Sequence, residues 1–136
     1  MSDKPLVVLD TNVVLDWLVF HDASVLKLTQ QIERGELLWI ACPAMRSELA
    51  HMLNHHRLAR WGPDAEQALA VFDRWAEPQL DPPEHGGVAL RCTDPDDQVF
   101  LDLALAGRAS WLFTHDRALL KLARRARPLG LLIQPP

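Results

Sequence analysis

Leu6-Val7-Val8-Leu9-Asp10-Thr11-Asn12 is the stretch from which the fold is read. Its first four residues are apolar and partly β-branched, the composition of a short strand buried on both faces. Asp10 ends that run, and apolar residues resume from Val13 to Phe20 with Asp16 as the interruption. The pattern predicts a strand over 5–9 that emerges at a carboxylate and passes into a buried helix over 12–20. In open α/β sheets, ligands bind at the carboxyl ends of the strands, so Asp10 is a candidate functional residue. Trp111-Leu112-Phe113 ends the same way, in Thr114-His115-Asp116. Between the two lies Asp94-Pro95-Asp96-Asp97, which opens an apolar helix.

Working outward, Val25, Leu28 and Ile32 at helical spacing predict a helix over 23–34, stopped by Gly35. Leu37 to Ala41 is a second strand. Pro43 suits the first position of a helix running to about Arg60, and Trp61-Gly62-Pro63-Asp64 is a break. Ala65 to Ala76 is helical on Ala68, Leu69, Phe72 and Trp75. The prolines and glycines of 77–87 predict a loop, with Val88 to Cys92 a candidate short strand. A helix over 95–107, a strand over 111–114, a helix over 117–127 and a last strand over 131–133 complete the chain. Strands alternating with helices predict a parallel sheet covered on both faces, in a single domain over residues 1–136.

The composition bounds the partners. At 136 residues, 49% hydrophobic and 24% charged, the chain is long enough for a real core and has the balance of an ordinary globular protein. No apolar run reaches the ~18 residues of a membrane span, and residues 1–5 lack the pattern of an export leader. Cys42 and Cys92 are too few for a disulfide scaffold and read as reduced thiols of a cytoplasmic protein. The formal net charge of -4 means that any affinity for a polyanion must come from local patches. Two clusters qualify, Arg46-His51-His55-His56-Arg57-Arg60 and Arg117-Lys121-Arg124-Arg125-Arg127. Each is equally a solvated helix face.

Every carboxylate also has an ordinary explanation. Asp10, Asp94 and Asp116 stand where helix N-caps are favoured, Asp96 and Asp97 where a helix dipole favours anions, and Glu48 on a helix surface. Their joint placement is harder to explain that way. A parallel sheet puts the ends of the strands before Asp10 and Asp116 on one edge, and the helix beginning at Pro95 opens on the same edge. Glu48, about one and a half turns into its helix, reaches back toward it. Carboxylates gathered there repel one another and stay ionised only around a cation. Oxygen ligands of this kind suit a hard divalent ion such as Mg²⁺. The chemistry indicated is metal-assisted hydrolysis.

These residues resemble the PIN domain, the fold of many metal-dependent ribonucleases and of VapC-like toxins in bacterial toxin–antitoxin pairs. The resemblance rests on Leu9-Asp10-Thr11-Asn12-Val13, Glu48, Asp94-Pro95-Asp96-Asp97, Phe100-Leu101, Ala104-Leu105-Ala106-Gly107 and Leu112-Phe113-Thr114-His115-Asp116. It spans essentially the whole chain. It implies a three-layer α/β/α sandwich around a parallel sheet and an Mg²⁺- or Mn²⁺-dependent endoribonuclease. It also implies a cognate antitoxin and, often, a homodimer. The family's acids carry over to Asp10, Glu48, Asp97 and Asp116, and its flanking polar positions to Thr11, Asn12 and Thr114. Thr114 is expected to orient Asp116 or a water at the cation. Asp96 competes with Asp97 as ligand, Asp102 is a further acid without an assigned role, and one metal or two is open. His115 stands where the family often has Gly; it adds a proton donor or phosphate contact, or narrows the site.

Rival chemistries fit the residues less well. Glu48, His51 and His55 share a helix face, but no second copy of the motif exists for a di-iron bundle and the metalloprotease glutamate is missing. A haloacid dehalogenase-type phosphatase needs a second Asp where Asn12 stands. A degenerate PIN domain that only binds RNA or protein is the alternative to catalysis. Trp17, Trp39, Trp75 and Trp111 read as core. Trp61, beside Arg57 and Arg60, is an expected exposed stacking platform for RNA, with Arg117 the competing contact.

Overall fold

A computed structural model describes residues 4–83 and 90–136. Five strands form one sheet: β1 (Leu6–Leu9), β2 (Leu38–Ala41), β3 (Glu77–Pro78), β4 (Trp111–Phe113) and β5 (Leu132–Gln134). Their order is β3-β2-β1-β4-β5, and every pairing is parallel. Between them run α1 (Thr11–Leu18), α2 (Leu26–Glu33), α3 (Pro43–Leu53), α4 (Ala65–Trp75), α5 (Gln98–Ala106), α6 (Arg117–Leu120) and α7 (Ala123–Ala126). Side chains alternate across a strand, so Leu9 and Phe113, partnered in register, share a face with Trp39, and Val8, Leu112 and Ile40 point the other way. Both faces are covered. Trp39 packs on Trp17 of α1 and Phe72 of α4, whereas Ile40 lies under Gly107 at the end of α5. That double burial is why the strands read as unbroken apolar runs.

Most elements fall where the sequence predicts them, and the differences have local causes. The predicted loop over 77–87 begins with β3, a two-residue edge strand whose Pro78 needs no ladder donor. Of the candidate strand over 88–92, Val88 and Ala89 lie outside the described residues and Leu90–Cys92 is irregular. The helix predicted from Pro43 to Arg60 ends at Leu53. There the Asn54 side-chain amide donates to the Ala50 carbonyl (2.9 Å) and His55 turns extended. A 3₁₀ turn over His56–Trp61 follows, capped when His55 Nδ1 accepts from the Arg57 amide. Asx-type side chains compete with the helix ladder in this way. The helix predicted over 117–127 is divided into α6 and α7, and the helix from Pro95 begins with a 3₁₀ turn, Pro95–Asp97. Gly35 ends α2 with a φ of 76°, the left-handed stop that favours glycine. No described helix is long and apolar enough to cross a membrane.

Candidate metal centre

β1 and β4 end side by side. Leu9 partners Phe113, and the Asp10 amide donates to the Phe113 carbonyl (3.2 Å). This register sets Asp10 against Thr114. Asp10 caps α1, its Oδ1 accepting from the Val13 amide at 2.9 Å. Its Oδ2 accepts a short hydrogen bond from the Thr114 hydroxyl. Thr114, fully buried, in turn accepts from the Asp116 amide at 2.9 Å. One hydroxyl thus locks the ends of two strands together. Thr114, expected from the sequence to orient Asp116 or a water, grips the backbone of Asp116 and the side chain of Asp10.

Asp116 caps α6, with Oδ1 accepting from the Ala118 amide (2.8 Å). Asp94 caps the 3₁₀ turn before α5 by accepting from the Asp96 amide (3.0 Å). Asp97 starts α5 without capping it. One carboxylate oxygen from each of Asp94, Asp97 and Asp116 lies within 4.8 Å of the other two. The capping explanation and the ligand explanation therefore hold at once for Asp94 and Asp116: each gives one oxygen to the backbone and has another to offer. Asp94 is the residue that the sequence places in the acidic cluster but not among the acids carried over from the family. Its ligand-like placement depends on the tight turn at Pro95, which folds Asp94 and Asp97 onto one side.

Electrostatics mark Asp97 as the strained member. Burial, a hydrogen bond shared with Asp116 and the nearby charges of Asp116, Asp94 and Asp10 push its carboxyl up to about 8. Its Oδ2 is buried and has no hydrogen-bond partner. Asp10 is raised too, chiefly by burial and against the hydrogen bonds from Thr114 and Val13. Glu48, half-buried on α3, is raised by burial and by Asp96, Asp10 and Asp94, while a hydrogen bond from Thr11 opposes the shift. So Glu48 and Thr11 face the same acidic pocket. An orphaned carboxylate oxygen among raised acids is the donor set a hard divalent cation fits, because the ion supplies the missing positive charge.

The remaining predicted residues sort by position. Asp96 is exposed and acts on Glu48 across the mouth of the site. Asn12 is exposed, and its side chain forms no hydrogen bond among the described residues. Asp102 is buried but bound elsewhere, accepting from Gln98 Nε2 at 2.8 Å. His115 turns to Asp16, Nε2 to Oδ2 3.4 Å. Arg117 is exposed next to Asp116. Trp61 is 48% exposed under the Arg60 guanidinium, yet packs edge-on against Phe20, beyond the end of α1, while Asp10 sits at its start. Arg57, Arg60 and Trp61 are therefore not brought together with the carboxylates.

Residues 6–118 match the PIN domain. The chain belongs to the PIN-domain family. Among solved structures, this PIN domain resembles the crystal structure of VapBC2 from Rickettsia felis bound to a DNA fragment from their promoter. The TM-score is 0.61 over 96% of this chain and 98% of that one, at 14% sequence identity. At that identity the likeness is one of fold. No curated protein matches this chain.

Proposed function

We propose that this PIN domain is a metal-dependent endoribonuclease and the toxin of a type II toxin–antitoxin pair. The observation that carries the reading is Asp97 Oδ2, buried without a donor beside Asp94 and Asp116 at the carboxyl edge of the sheet. Asp97, Asp116 and Asp94 would hold Mg²⁺ or Mn²⁺, with Asp10 and Glu48 completing the negative wall. A bound divalent ion would supply Lewis-acid activation of water and neutralise charge on the scissile phosphate. The chain's own residues position and exclude. Thr114 holds Asp10 still, Thr11 favours the charged form of Glu48 against its burial, and α5 buries Phe100 and Leu101 in the core beneath the turn that carries Asp97. Burial pushes the Cys42 thiol up to about 11 and that of Cys92 in the same direction, which disfavours the thiolate that a nucleophile needs.

Membership of the PIN family and a fold shared with a chain of a VapBC2 structure support a cognate antitoxin as partner. The test is RNA cleavage with and without Mn²⁺. Asp10→Asn should remain folded, because an amide still accepts from Val13 and can donate to Thr114, but lose cleavage. Full cleavage by a pure Asp10→Asn protein ends this mechanism. RNA or antitoxin binding by a wild-type protein that never cleaves would instead assign a binding module.

A further inference from the structure

The last twenty residues of the chain carry five of its 14 lysines and arginines and none of its 18 aspartates and glutamates. All five cations, Arg117, Lys121, Arg124, Arg125 and Arg127, are exposed. None forms an ion pair among the described residues, where the pairs are Arg46–Asp73 and His115–Asp16. The helices α6 and α7 dock on the sheet edge through Leu119, Leu122 and Ala126, all buried. The residues joining them keep right-handed backbone, with φ -68° at Lys121 and -90° at Leu122. The four-residue steps from Arg117 to Lys121 and on to Arg125 therefore stay on the side away from the sheet. The result is a basic ridge that begins one residue after Asp116.

We propose that this ridge, Arg117-Lys121-Arg124-Arg125, is the track that holds the RNA strand as it leads away from the carboxylates. The inference rests on the nuclease reading and deepens it. A protein of net charge -4 with an acidic site repels RNA, so a strand that reaches Asp116 must be held by local cations. The ridge supplies unpaired cations next to the site. The other basic cluster does not: its Arg46 is clamped by Asp73 through two bonds of 2.8 and 2.9 Å, and its Arg60 lies on Trp61 beyond the far end of α1. Phosphate is a better match than a protein surface. Protein interfaces centre on apolar anchors, and no exposed large hydrophobic lies between Arg117 and Arg127.

The test compares wild type, Lys121→Gln/Arg124→Gln/Arg125→Gln and Arg57→Gln/Arg60→Gln. A fluorescein-labelled single-stranded RNA oligonucleotide is titrated in Ca²⁺ across a salt series, and Mn²⁺-dependent hydrolysis of bis(p-nitrophenyl) phosphate is followed in parallel. Single-strand binding loses about 0.7 of salt slope per phosphate contact. The triple variant should therefore bind with a slope shallower by about 2 and at least tenfold weaker at low salt, while small-phosphodiester hydrolysis is unchanged. The Arg57/Arg60 variant should match wild type. Arg124→Lys/Arg125→Lys should retain the slope, which separates charge from folding. An unchanged slope in the triple variant overturns the proposal, as does an equal loss in the Arg57/Arg60 variant. Retained RNA affinity with lost binding of poly-L-glutamate also overturns it and assigns the ridge to an acidic protein partner. Slope loss in a protein that hydrolyses no phosphodiester keeps the ridge and removes the nuclease reading instead.

Discussion

Asp97 is where chemistry and stability conflict most directly. Burial and the neighbouring acids push its carboxyl from an ordinary 3.8 up to about 8 in the folded protein. The folded state therefore holds a proton that the unfolded state releases, and wild-type stability declines as pH rises through that window. Asp97→Asn removes the cost. Without divalent ions, its melting temperature should exceed that of wild type by a margin that grows from about pH 4 to pH 8 and then levels. A margin independent of pH would show that Asp97 ionises freely. The same variant should be inactive on RNA. Asp96→Asn should keep substantial activity, since an exposed anion in a helix's first turn contributes only ~0.3–1 kcal/mol; the reverse result in a cleavage assay would move the ligand to Asp96. Thr114 is the structural counterpart. Thr114→Val leaves Asp10 Oδ2 and the Asp116 amide without their shared partner. Denaturant titration should show a loss of roughly 1–3 kcal/mol, largely restored in Thr114→Ser.

At the scale of elements, α5 is held to the sheet by a close approach that only glycine permits. A Cβ at Gly107 would meet Ile40 Cδ1 at 2.8 Å and the Leu103 carbonyl at 2.9 Å. Gly107→Ala should destabilise by about 1–3 kcal/mol through overpacking. Combining it with Ile40→Val, which removes the clashing methyl, should recover part of that loss; strict additivity of the two in chemical denaturation would place the strain elsewhere. The breaks in α3 and between α6 and α7 show what periodicity misses. Apolar spacing continues through Asn54 and Leu122, but a helix ends where a side chain offers its backbone another partner, and Asn54 does so. β3 escaped notice because two residues carry no period and the prolines around it argue for a loop.

For the whole molecule, the site and the fold oppose each other in the absence of a cation. Asp94, Asp97 and Asp116 converge, and the raised carboxyls of Asp10, Asp97 and Glu48 record the repulsion and burial. Mn²⁺ at a hundred times its dissociation constant should stabilise the protein by about 2.7 kcal/mol, or roughly 10 °C in melting temperature. The shift should shrink as pH falls below 8, because protons compete for Asp97, and vanish with EDTA or in Asp97→Asn. An equal shift in Asp97→Asn would mean that the ion binds elsewhere.

By itself the sequence determined the alternation of strands and helices, the sheet edge at which Asp10 and Asp116 emerge, and the family resemblance. All of these follow from short apolar runs, each ending in a polar residue at a fixed point, which local patterning records. It also carried the basic segment after Asp116, though not its exposure. What only the tertiary structure decided is which carboxylates meet. Register between β1 and β4 set Thr114 against Asp10, the Pro95 turn brought Asp94 beside Asp97, and Gln98 held Asp102 away. Distances of a few ångströms between residues far apart in the chain depend on packing, and it is at those distances that burial and mutual repulsion turn ordinary helix caps into a candidate metal centre.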